Sequence, residues 1–326
     1  MERFNEVELH KLTYYTEREL TSLQSQLVCS ARTKAAESIK AAKTRIRKGK
    51  KASCPQSRLC SIRYDARSAL VKLLDGTATL ASTSGRQKVE LKLQKHHQDR
   101  LDWKVCSSDL CLHKNKKLYL HVGVEKGLPV PEVQAVAGVD LGVNHPAVTS
   151  TSDFLGEKKW KAIEARYFNL KRGLQAKGTK SAKRHLKKLS QKVNRFRKNC
   201  DHVLSKTLAT LYVEKTCLVL EDLTNIRERM KGRKNQRRRL HSWSFSRLKF
   251  FLSYKAPLYG CSVDFVNPAY TSQKCSCCGH IAKRNRVLAE FHCRKCGFRN
   301  NADLNAAKNI RDKYLASRST SLASGL

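Results

Sequence analysis

Two pairs of cysteines, Cys275 with Cys278 and Cys293 with Cys296, each enclose two residues and are each followed directly by glycine. A knuckle that folds back through glycine brings backbone N–H groups toward thiolate sulfurs, and two such knuckles supply four ligands for one structural Zn²⁺. "CSCC" offers two candidates for the second ligand, Cys277 and Cys278. Cys278 precedes Gly279 directly and is taken as the ligand, with Cys277 a bystander. Cys54, Cys60, Cys106 and Cys111 lack knuckle spacing, and Cys106 and Cys111, five apart on extended chain, would face opposite sides. They read as buried free thiols.

Three carboxylates form the second set. Asp140 ends the strand-like run "QAVAGVD", Glu221 ends "KTCLVLE", and Asp303 opens a helix in "NADLNAAKNI". An α/β sheet gathers strand ends along one edge, where open sheets place their sites. Three carboxylates drawn together repel unless cations neutralise them, and hard divalent ions with oxygen ligands, Mg²⁺ or Mn²⁺, answer that need. Two such ions about 4 Å apart would generate hydroxide and stabilise the leaving oxygen of a phosphodiester. Taken singly, Asp303 also reads as a helix cap and Asp140 as a strand-end turn.

The elements that must hold these residues follow from period and punctuation. Apolar or small residues recur at helical spacing from Thr16 to Arg47, predicting one long basic helix. After Pro55 the pattern turns to strands, with a DG turn at Asp75-Gly76, alternating Val89, Leu91 and Leu93, and a hairpin around Lys114 to Lys116. Gly127 to Val133, with two prolines, is the best linker. Beyond it, strands alternate with helices, which predicts an α/β half. Glu157 to Asp201 reads as a basic helical hairpin, "RERMKGRKNQRRRL" as a basic loop too charged to pack, and 316–326 as a frayed tail. Trp243, Phe245, Tyr254 and Tyr270 could stack bases, but such positions are more often core and receive no site role. His145 reads as a turn residue.

Composition narrows the partner. Lys and Arg number 66 against 27 acids, a formal charge of +39, far beyond the excess of roughly 2 to 8 that solubility asks of a small domain. A polyanion is implied. No apolar run approaches the roughly 18 residues of a spanning helix, and the start lacks a signal peptide's apolar core, so nucleic acid is favoured over a membrane. The odd count of thirteen cysteines fits a reducing compartment.

The ordered set "GVDLGV", "VLEDL", "WSFSRLKFFLSYKA", "NPAYTSQKCSCCG", "CRKCG" and "NADLNAAKNI" resembles the TnpB family of transposon-encoded proteins, relatives of the compact type V CRISPR effectors. The resemblance covers most of Ala135 to Lys313. It implies an α/β RNase H-like (RuvC) nuclease domain with an inserted zinc ribbon, whose acids would be Asp140, Glu221 and Asp303, holding Mg²⁺ or Mn²⁺. It further implies a helical recognition part over 1–55, a β-barrel wedge module over 56–130, the first nuclease part over 131–270 with a basic helical insertion at 157–210, the ribbon over 271–299, the last nuclease helix over 300–315 and a disordered tail over 316–326. The N-terminal match is weaker, and the chain starts inside the family's first strand and helix, implying a shortened N-terminus. The family's third acid often follows Asp-Arg, where this chain has Asn301-Ala302.

What the resemblance implies functionally is an RNA-guided DNA endonuclease. Its partners would be a guide RNA from the transposon end and double-stranded target DNA beside a short adjacent motif, with no small-molecule substrate and no membrane. The place would be the cytoplasm, on the nucleoid of a prokaryote. Two rivals stay open: a guided DNA-binding protein that does not cut, and a guide-independent nuclease acting on branched DNA.

Overall fold

The computed structural model describes residues 6–323 apart from Arg58, Lys114, Val130, Val143, Asn144, Val213, Glu214 and the stretch 225–244. The basic run at 227–240 and Trp243 lie outside the described residues. The chain divides into two compact units, Met1–Gly127 and Leu128–Leu326.

In the first unit the expected single helix is two, α1 (Glu6–Leu20) and α2 (Ser25–Arg47). The break falls at Thr21-Ser22, where short polar side chains compete for backbone groups; the Thr21 hydroxyl donates to the Glu17 carbonyl. Six strands follow: β1 (Ile62–Tyr64), β2 (Ala69–Lys72), β3 (Thr77–Ser82), β4 (Gly85–Glu90), β5 (Lys104–Leu112) and β6 (Leu118–Glu125). They make two antiparallel sheets, β1-β5-β6 and β2-β3-β4. The expected barrel is, in the described residues, a pair of sheets without a hydrogen-bonded closure. Leu27 of α2, Tyr64, Leu80, Leu110 and Leu120 share their core. Strand β4 stops at Glu90, short of Leu91 and Leu93.

A bulge between Val105 and Ser107 spoils the simple alternation assumed for Cys106 and Cys111. Cys54, Cys60 and Cys106 are exposed and Cys111 half-buried, so the buried-thiol expectation fails for this set. Cys54 and Cys60 lie outside the helices and strands, and Cys106 and Cys111 lie on β5.

The second unit is built on one five-stranded sheet of β7 (Ala135–Asp140), β8 (Ala147–Thr149), β9 (Phe154–Leu155), β10 (Thr216–Glu221) and β11 (Ser262–Val266). Its order is β11-β10-β7-β8-β9. Strands β7, β10 and β11 run parallel, β8 pairs antiparallel with β7, and β9 pairs antiparallel with β8. Between β9 and β10 come α3 (Lys158–Lys177) and α4 (Lys180–Leu211), the expected basic hairpin. Thr179 caps α4 by accepting from the Ala182 N–H at 3.1 Å. Helix α5 (Phe245–Leu258) precedes β11.

Alternation along the strands sorts the core. Ala137, Val139, Leu218 and Leu220 face Leu204 and Leu208 of α4 and Leu248 and Leu252 of α5. Val136, Cys217, Val219 and Val266 face the other way, onto Ile310 and Tyr314 of the last helix, α6 (Ala302–Ala323). That helix continues past the expected end at residue 315 and takes in most of the supposed tail. Between β11 and α6 lies a small antiparallel sheet of β12 (Arg286–Val287), β13 (Glu290–His292) and β14 (Arg299–Asn301).

Candidate active site and metal centre

The side-chain period of a strand is two, so Asp140 shares a face with Val136 and Gly138, and Glu221 shares one with Cys217 and Val219. That face is the one α6 covers. The parallel register sets Val219 against Gly138 and Leu220 against Val139, so Asp140 and Glu221 terminate neighbouring strands at the same edge. Asp303 stands in the first turn of α6. A Cβ built on Gly138 would come within 2.1 Å of the Ala307 carbonyl oxygen and 2.6 Å of the Arg311 nitrogen. Only glycine lets the helix backbone lie this close to β7. The same contact draws the start of α6 to the end of β7, where a Cβ on Gly142 would lie 3.4 Å from Asp303 Oδ2.

The three predicted acids therefore meet. Asp140 and Asp303 are 8% and 5% exposed, a burial that unpaired carboxylates rarely reach. Burial pushes the Asp140 carboxyl well above the ordinary carboxylate range; Glu221 and Asp303 push the same way, and Arg286 pulls partly back. Burial also raises Glu221, against the Thr271 hydroxyl that donates to its Oε1 and the nearby charges of Lys313 and Arg286. A cluster of this kind favours whatever positive charge can enter it. Arg286 of β12 supplies one, pairing with Asp303 Oδ1 at 2.7 Å.

The ribbon's four predicted cysteines also converge, their sulfurs all within 4.8 Å of one another. Cys275 and Cys296 sulfurs lie 3.8 Å apart and those of Cys278 and Cys293 3.6 Å. A tetrahedron with Zn–S bonds of about 2.3 Å has edges of about 3.8 Å, so the set fits zinc by geometry as well as by donor type. Gly279 and Gly297 both adopt φ +73° and donate to the Cys275 and Cys293 carbonyls, giving two matching knuckles. The Cys293 thiol is pushed down to about 6, first by the backbone N–H of Cys296 and then by that of Lys295. Cys277 is exposed and stands outside the set.

Several positioning residues were missed in the sequence. Asn301 accepts from the N–H groups of Asp303 (2.9 Å) and Leu304 (3.2 Å) and so caps α6. Ala302 is fully buried among Cys275, Phe291 and Cys293. Asn305 donates to the Lys274 carbonyl at 2.8 Å and accepts from the Ser276 N–H at 3.0 Å; Asn309 donates to the Thr271 and Lys274 carbonyls. Asn301 caps α6, and Asn305 and Asn309, one turn apart on it, are hydrogen-bonded to the chain around the first knuckle. Their spacing of four in a helix of small and apolar residues was a readable signal, since asparagine is a poor helix former. Thr271 and Arg286 carried no comparable signal.

Comparison with known proteins finds relatives of two segments of the chain. Residues 119–228 match the family described as "Probable transposase", and residues 245–310 match "Cas12f1-like, TNB domain". The chain is 31% identical over 242 residues to the CRISPR-associated endodeoxyribonuclease Cas12f1 of Sulfoacidibacillus thermotolerans, covering 66% of this chain and 56% of that one. It is 41% identical over 116 residues to a TnpB-like protein of Methanocaldococcus jannaschii, covering 34% and 41% of the two chains. The chain thus spans about half the length of these curated relatives. A solved Cas12f1–sgRNA–target DNA complex shares the fold at TM-score 0.67 and 17% identity, covering 95% of this chain and 76% of that one. With the matched segments in order, the carboxylates on three separate elements and the four-cysteine ribbon between the last two, the chain belongs to the TnpB family and its Cas12f1-like relatives.

Proposed function

We propose that the protein is an RNA-guided DNA endonuclease that cuts target DNA beside a short adjacent motif, with a guide RNA derived from a transposon end. Asp140, Glu221 and Asp303 are the acids of its RuvC-like centre, on an RNase H-like sheet, and Cys275, Cys278, Cys293 and Cys296 hold a structural zinc. The observation that carries this reading is the convergence at one sheet edge of three carboxylates from β7, β10 and α6, of which Asp140 and Asp303 are buried and Glu221 is half-buried. No fold requirement explains such a cluster, and its electrostatic cost is offset when hard cations bind.

The three acids would hold Mg²⁺ or Mn²⁺, which when bound supplies an activated water and charge stabilisation at the leaving oxygen. The chain's own residues do the rest. Thr271 donates to Glu221 and holds its carboxylate, and Arg286 holds Asp303 by a charge-assisted hydrogen bond. The parts assigned to this activity are a helical recognition part (1–55), a wedge module (56–130), the nuclease domain (131–270 and 300–315) and the ribbon (271–299). Among the described residues no helix is long and apolar enough to cross a membrane.

The test is co-expression with the DNA flanking the locus, purification with the retained RNA, and incubation with a matched target beside a randomised motif. Cutting that needs RNA, Mg²⁺ and Asp140 is the expected result. Target occupancy without cutting by the unmodified protein would replace this reading with a guided binder. Cutting of branched DNA without RNA would replace it with a guide-independent nuclease.

A further inference from the structure

Two large apolar side chains beside the acid site combine exposure with a backbone that such residues avoid. Tyr270 is 61% exposed at φ +65°, and Leu288 is 89% exposed at φ +54°. Left-handed backbone in bulky residues is uncommon and clusters at active sites and ligand clamps; at Leu288 it also forms the two-residue turn between β12 and β13. Both residues are locked in place. The Tyr270 carbonyl accepts from the N–H groups of Gln273 (3.0 Å) and Lys274 (2.9 Å). Its neighbour Thr271 is pinned by Asn309 and reaches Glu221. The Leu288 carbonyl accepts from Arg286 Nε at 3.3 Å, the same guanidinium that pairs with Asp303, and the next carbonyl, of Ala289, accepts from the Ala302 N–H at 2.8 Å.

One exposed apolar group is thus a single residue from the partner of Glu221, and the other is tied through one arginine to Asp303. The exposed charges around them on the ribbon are mainly positive: Lys274, Lys283, Arg284, Arg294, Lys295 and Arg299 against Glu290. A positive surface bearing an exposed ring and an aliphatic tip has the chemistry of a single-strand platform, where cations track phosphates and apolar groups meet base faces. We propose that Tyr270 and Leu288 hold unstacked nucleobases of the DNA strand whose phosphate enters the carboxylate site, Tyr270 by stacking and Leu288 by apolar contact. The proposal rests on the nuclease reading for the identity of that strand.

The experiment uses the full chain with its co-purified RNA and a short fluorescein-labelled single-stranded DNA, beside an abasic oligomer of equal length and an RNA of the same sequence, without added Mg²⁺. Tyr270→Ala should weaken binding to the DNA by about tenfold or more while leaving the abasic oligomer unchanged, whereas Tyr270→Phe stays within about twofold of the parent. Leu288→Ala should weaken it by a smaller factor with the same base dependence. Tyr270→Gly and Leu288→Gly relieve the left-handed backbone, so they should melt no lower than the parent and still lose base-dependent binding. Unchanged affinity in Tyr270→Ala, an equal loss on the abasic oligomer, or a Tyr270 dependence confined to RNA would overturn the proposal. A parent that cuts matched target while Tyr270 proves irrelevant removes this inference and leaves the nuclease reading. Base-dependent binding through Tyr270 in a parent that never cuts does the reverse.

Discussion

At the scale of residues, the site is governed by the mismatch between buried carboxylates and their charge. Asp140 and Glu221 are both raised by burial, so the folded chain keeps their protons to a higher pH than the unfolded chain does. Above the ordinary carboxylate range the unfolded state binds fewer protons, and stability must fall as pH rises, by up to about 1.4 kcal/mol per pH unit for each such group. In metal-free protein, melting temperature measured against pH should therefore decline through this window, and Asp140→Asn should flatten the decline and melt higher at neutral pH. Asn301 belongs at this scale too. The residue that replaces the family's more usual Asp is an N-cap, so Asn301→Ala should cost about 1 kcal/mol of stability by thermal unfolding and Asn301→Asp very little. Cutting should fall in Asn301→Ala and persist in Asn301→Asp.

At the scale of elements, the decisive contact is that of α6 with β7. Gly138→Ala leaves its methyl no room against the Ala307 carbonyl, and the obstacle is backbone, which cannot rotate away. We expect a loss of about 3 kcal/mol or more in denaturant unfolding, together with loss of cutting, because the helix that is pushed away carries Asp303. The ribbon is the second positioning element, since Asn305 and Asn309 tie its first knuckle to α6. Zinc removal by a chelator, or Cys293→Ser, should therefore lower cutting without touching any of the three acids, with metal content and rate falling together. How far these elements could be read beforehand depended on locality. Strand ends at Asp140 and Glu221, and the cysteine knuckles, are visible in short windows. The break at Thr21-Ser22, the open β1-β5-β6 and β2-β3-β4 pairing and the run of α6 to Ala323 depend on tertiary packing that periodicity does not encode. Arg286 was one cation among 66, with nothing local to distinguish it.

At the scale of the whole molecule, +39 is the dominant quantity. Much of this charge lies on exposed faces of α2, α3 and α4, which the apolar period left solvated. Binding of duplex DNA or guide RNA should depend steeply on salt. If six to ten phosphates are neutralised, affinity falls by about 10³- to 10⁵-fold between roughly 50 and 200 mM salt; a flat response in a titration would contradict binding through the phosphates. The sequence distance between the acids has another consequence. Asp140 and Glu221 must wait for α6 before the carboxylate set is complete, and β7 pairs with β10 only after the long α3–α4 excursion. Such non-local assembly is slow. A chain still on the ribosome, with its first two acids already outside, holds no complete carboxylate set until the residues beyond the ribbon have emerged.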